Sequence, residues 1–196
     1  MEIWFDFGSN YSYLSVMRVE ALAHAAGVDL AWRPFLLGSV FRELGWDTSP
    51  FVLQPEKGRY TWIDMRRRAA KYGLAFNMPS TFPRSALLPA RVALLGAEQP
   101  WIGDFCRRVM LQNFVDDLDI GDAANTRRAL EGLVSDPEAV MQAAQSDANK
   151  VRLREQTAAA RARGIFGAPT FFVGDEMFWG DDRLEDALEH AHRTRS

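Results

Sequence analysis

"FDFGSNYSYL", residues 5–14, decides how this chain is read. Just upstream, residues 2–7 alternate polar and apolar side chains as a half-buried strand does. Gly8 breaks that run, and Ser9-x-x-Ser12 opens a stretch with helical spacing. The helix is expected to reach Gly27, a residue free to take the left-handed conformation that stops helices. Ser9 then stands where strand becomes helix, beside first-turn N–H groups that lack partners within the helix. A hydroxyl there can cap the helix or turn toward an anionic ligand, and one serine can do each at different times.

Working outward, "VDLAWRPFLL" (28–37) reads as a second strand that Pro34 pushes toward an edge or an end. Strand, helix, strand in this order makes a right-handed parallel unit. From about 38 to 149 the pattern turns helical: Ser85 can cap "ALLPARVALLGAE", "PWIGDFCRRVMLQNF" follows, Asp122 can cap "AANTRRALEGL", and Asp136-Pro137 pairs an N-cap with a first-turn proline. From Lys150 a helix runs to Gly164, "APTFFV" and "EMFW" flank the hairpin signal Gly174-Asp175, and Asp181 or Asp182 can cap a last helix ending near His192. This is the thioredoxin order with an all-helical lobe inserted. The expectation is a single α/β domain, 1–196, whose thioredoxin-like part covers about 1–37 and 150–196 and whose insertion covers about 38–149.

With 196 residues, 47% of them hydrophobic, the chain is long enough for one well-built core. A net charge of -3 and the absence of a long basic run argue against nucleic acid and anionic membranes as partners, and no apolar stretch is long enough to span a bilayer. The opening "MEIWFDF" lacks the features of a signal or transit peptide, so a reducing cytoplasm is expected. The one cysteine, Cys106, lies in helical spacing with no metal-ligand neighbours, and it reads as a buried small side chain. No metal site is expected.

Ser9 is a poor nucleophile without a base, and the three histidines supply none: His24 is turns away on the same helix, and His190 and His192 lie in a polar tail. A hydroxyl at a helix start can instead donate to a thiolate. A helix end at ~0.3–2 kcal/mol plus a hydrogen bond to a charged group at ~1.5–3 kcal/mol would lower a thiol's pKa by about one to three units. The sulfur would have to come from a ligand.

"FDFGSNYSYL", "WRPFLLGSVF", "EKGRY", "YGLAFNMPSTFP" and "ARGIFGAPTFFVGDEMFWGDDRLE" together resemble the 2-hydroxychromene-2-carboxylate isomerase family, kin of the kappa-class glutathione transferases in the DsbA-like branch of thioredoxin folds. The resemblance implies glutathione as cofactor and a homodimer. It places Ser9 against the glutathione sulfur, with Asn10 where relatives carry proline and Ser12 in the same turn. It makes Pro169 a cis-proline and gives the backbone of Ala168 to the cysteinyl part of glutathione. Asp181 and Asp182 would receive its γ-glutamyl end, and Lys57 its glycyl carboxylate. The stretch "LGWDTSPFVLQPEKG" departs from the family, with Trp46 in place of an asparagine, which points to an altered substrate pocket. Arg33, Lys57 or Arg59 are candidates for a substrate carboxylate, and Trp46 or Trp179 for its ring, although tryptophans also serve as core.

The implied reaction interconverts 2-hydroxychromene-2-carboxylate and trans-o-hydroxybenzylidenepyruvate through transient thiolate addition. Two other readings share the scaffold: a kappa-like transferase or peroxidase acting on other electrophiles, and a redox-inactive module that binds extended peptide along the cis-proline edge. A disulfide oxidoreductase is set aside, because one cysteine cannot run a two-cysteine cycle.

Overall fold

The computed structural model describes residues 1–194. In chain order the elements are β1 (Glu2–Phe5), α1 (Asn10–Val16), α2 (Val19–Ala25), β2 (Ala31–Pro34), α3 (Leu37–Glu43), α4 (Pro50–Leu53), α5 (Pro55–Tyr72), α6 (Leu87–Leu95), α7 (Ile102–Phe114), α8 (Ala123–Leu130), α9 (Pro137–Ala144), α10 (Asp147–Ala162), β3 (Thr170–Val173), β4 (Glu176–Trp179) and α11 (Leu184–Thr194), the last preceded by a 3-10 turn, Asp181–Arg183. The sheet order is β2-β1-β3-β4, with β1 parallel to β2 and the other pairs antiparallel. This is the expected thioredoxin-like sheet with its helices. Pro34 ends the edge strand β2, where its missing N–H costs no ladder bond.

Alternation along β1 sorts the core. Ile3 and Phe5 enter the main cluster with α1, α2, α7 and α11, while Trp4 and Phe172 face Phe35, Val40, Ala160 and Ile165 on the other side of the sheet. Helix α7 supplies the centre of the main cluster through Phe105, Cys106, Val109, Met110 and Phe114, all fully buried. Each large side chain of this kind contributes about 1.5–3 kcal/mol by leaving water. Cys106 is thus the packed small residue the sequence suggested, and burial pushes its thiol up.

Local punctuation behaves mostly as expected. Asp122 and Asp136 cap α8 and α9, and Gly27 and Gly164 take positive φ just past their helices. Four details differ. The first helix is split, because Arg18 Nε takes the Leu14 carbonyl that the Arg18 N–H would bond in an unbroken helix, and that N–H turns to Ser15 O instead. Ser85 caps nothing: α6 opens later, after Ala86, without a side-chain cap. Neither Asp181 nor Asp182 caps α11, because the 3-10 turn carries both ahead of it. Helix α10 also starts before Lys150, at Asp147, with Ser146 as its cap.

Candidate active site

The site begins where β1 ends. The Asp6 carboxylate accepts from Gly8 N and Leu37 N, both at 2.7 Å, and so ties the loop before α1 to the start of α3. Burial lifts its pKa from 3.8 to about 6, although both N–H groups pull the other way. A Cβ on Gly8 would lie 3.0 Å from Arg84 O, so the loop passes at a distance that favours glycine.

Ser9 caps α1. Its Oγ accepts from Ser12 N at 3.2 Å and donates to Ala168 O at 2.9 Å. The Ala168-Pro169 bond is cis, so the fold brings together the two features the sequence singled out, 159 residues apart. The approach of the "GAP" turn to the β4 end is tight: a Cβ on Gly167 would lie 2.3 Å from Trp179 Nε1.

Asp181 is 2% exposed. Its Oδ1 accepts from Ser15 Oγ at 2.8 Å and Arg18 Nη2 at 2.9 Å, while Oδ2, 3.7 Å from Arg68 Nη1, has no hydrogen-bond partner. Beside it, Asp64 Oδ2 accepts from both Tyr11 OH (2.8 Å) and Arg68 Nε (2.9 Å). Burial and then the Asp64 hydrogen bond raise the Tyr11 phenol far above its ordinary value.

These groups open onto a cleft of about 1010 Å³. Of the residues singled out in the sequence, Ser9, Asn10, Lys57, Ala168, Asp181 and Asp182 line it, as do Trp46 and Trp179. Both tryptophans are substantially exposed, at 39% and 52%, so neither is core. Asn10 is almost wholly buried, and its Nδ2 has no partner. Pro169 is buried behind Ala168.

Besides Pro169, three expected residues are not on the wall. Ser12 is fully buried, with its Oγ unpartnered, because the second serine of the pair turns into the core. Arg33 pairs with Glu2 at 3.3 Å, since strand alternation sends it away from the cleft. Arg59 points outward from α5 and pairs with Glu56. In their place the cleft carries residues the sequence reading passed over: Asp6, Tyr11, Arg42, Asp64, Arg68 and Arg84. The i,i+4 spacing of Asp64 and Arg68 was the one available signal for any of these. A second cis bond, Phe82-Pro83, also borders the cleft.

A family model described as a DSBA-like thioredoxin domain matches residues 1–191. A 2-hydroxychromene-2-carboxylate isomerase of Pseudomonas putida is 31% identical over 193 residues, covering 94% of this chain and 90% of that protein. The chain belongs to this isomerase family. A solved structure of a 2-hydroxychromene-2-carboxylate isomerase superposes on 99% of the chain and 96% of its own, with a TM-score of 0.87 at 27% identity. The rat protein named glutathione S-transferase kappa 1 is 25% identical, with 94% of this chain and 87% of that one covered. The similarity to the kappa-class protein thus extends over most of both chains.

Proposed function

We propose that the protein is a glutathione-dependent isomerase interconverting 2-hydroxychromene-2-carboxylate and trans-o-hydroxybenzylidenepyruvate, or a closely related aromatic catabolite, acting as a cytoplasmic homodimer. The observation that carries the reading is the Ser9 hydroxyl bonded to the carbonyl before cis-Pro169 at the edge of the cleft. The residues present fit the tripeptide. Asp181 offers a buried oxygen without a partner, Asp182 an exposed carboxylate, and Lys57 an ammonium without a carboxylate partner among the described residues. Glutathione, when bound, supplies a thiolate that adds reversibly to the conjugated double bond and lets it rotate.

The chain's own part is to bind and to hold charge. Ser9 exchanges its Ala168 acceptor for sulfur, which frees the Ala168 carbonyl for a ligand N–H. Its hydroxyl hydrogen bond to a charged acceptor is worth ~1.5–3 kcal/mol. The end of α1 adds only a few tenths of a kcal/mol up to about 1, since the helix has seven residues. The apolar rings of Phe51, Trp46 and Trp179 along the cleft keep water from much of the bound substrate.

Loss of the benzylidenepyruvate absorbance should require glutathione, and Ser9→Ala should raise the bound thiol's pKa by about one to two units in an ultraviolet titration. Equal turnover with and without glutathione would falsify the reading. The kinship with the kappa-class transferase favours a second one, conjugation of other electrophiles at the same site. Thioether formation with an aryl halide, without isomerisation, would select it.

A further inference from the structure

The cleft has four cationic side chains on its wall, and their surroundings differ. Arg84 is buried and consumed by Asn113, Ser80 and Asp117. Arg68 is tied to Asp64 and lies 3.7 Å from Asp181. Lys57 is taken by the glutathione reading. Arg42, the last cleft-lining residue of α3, has no carboxylate partner among the described residues: the neighbouring acid Glu43 is bound to Arg161 at 3.1 Å. Its Nη2 bonds Ser39 Oγ at 3.2 Å, which folds the guanidinium back along α3 toward Leu37, the residue whose N–H is held by Asp6. The Trp46 N–H returns to Phe41 O at 2.9 Å, and the two rings meet at 5.5 Å. An accessible guanidinium and an accessible indole thus share one short segment of wall.

We infer that Arg42 and Trp46 form the acid-binding end of the substrate pocket, Arg42 taking the carboxylate of an aromatic 2-oxo acid and Trp46 the face of its conjugated system. This rests on the proposed isomerase reading for the substrate's class, and it replaces Arg33 and Arg59, which the fold directs elsewhere. A guanidinium is suited to the task because its fork matches both carboxylate oxygens. The cleft-lining acid Asp47 stands on the same segment, so the pocket opposes a second negative charge placed off the fork. Arg42 is here a specificity residue and takes no part in the bond changes.

The test measures binding without turnover. Phenylpyruvate, a non-isomerising aromatic 2-oxo acid, and phenylacetone, its counterpart without the carboxylate, are titrated calorimetrically into the intact wild-type protein, Arg42→Gln and Arg42→Lys. Phenylpyruvate affinity should fall about 10- to 100-fold in Arg42→Gln and recover in part in Arg42→Lys, with phenylacetone unchanged. Unchanged phenylpyruvate binding, or an equal loss for both compounds, overturns the inference. A parallel glutathione titration separates the two levels: absent glutathione binding with Arg42-dependent phenylpyruvate binding sinks the glutathione reading and leaves this one standing.

Discussion

On one wall of the cleft, Ser9 and Asp181 are held by hydrogen bonds to partners 159 and 166 residues away in sequence, and both are at least nine-tenths buried. On a second wall, Arg42 and Trp46 are exposed and rest on contacts within their own segment. The first wall is made by tertiary structure and, in the proposed reading, holds the glutathione. The second is a local run of short helices and turns. A scaffold of this kind can change its substrate by altering the second wall while the first keeps its geometry.

The comparison breaks first at Asp181. Its replacement by alanine leaves Arg18, whose side chain is 11% exposed, with the half-exposed Glu185 as its one carboxylate partner among the described residues. Removing one member of a buried ion pair costs about 3–5 kcal/mol. Asp181→Ala should therefore lower the urea midpoint steeply, whereas Asp182→Ala, an exposed neighbour, should change stability by less than about 0.5 kcal/mol. Equal effects would mean that the first wall is not held by buried charge.

Asp6 joins the two walls, and its pH response is the next largest effect. The folded carboxyl titrates at about 6 and the unfolded one at 3.8, so between those values the native state holds a proton that the unfolded state lacks. Stability from this group is then fully present below about 3.8 and is lost as pH rises through about 6; the displacement corresponds to about 3 kcal/mol. Denaturant midpoints should fall between pH 4 and 7 by more in wild type than in Asp6→Asn. An identical pH slope in both would show that the seam is not strained by a buried charge. Asp117, held down to about 2 by Ser80 and Arg84, titrates below this window and does not interfere.

How much of this could be read from the chain follows the same division. Ser9, the Gly174 turn and the Asp122 and Asp136 caps are local signals, each depending on a few consecutive residues and standing where expected, whereas the cis bond at Pro169 was implied by the family resemblance. Asp181 was legible as a polar residue near a helix start but not as a buried partner of Arg18, because that pairing is set by how α1 and the 3-10 turn pack. Arg33, Arg59 and Arg42 are indistinguishable as isolated arginines. Only strand register and helix rotation decide that the first two leave the cleft and the third faces it.

A smaller effect on stability than at Asp181 or Asp6 is expected at Trp46, and it sharpens the comparison most. The indole is 39% exposed and meets one ring, Phe41, at 5.5 Å. Its removal forfeits the aromatic pair, about 0.5–1.5 kcal/mol beyond the area covered, and leaves no buried charge unpaired. Trp46→Ala should thus unfold at nearly the wild-type urea concentration and bind glutathione unchanged, because the first wall is untouched. Its KM for the aromatic substrate should rise several-fold while kcat holds, since a lost stacking contact weakens ground and transition states alike. A large fall in kcat would instead place the second wall among the groups that act in the transition state. A large loss of stability would make it as structural as the wall built around Asp181.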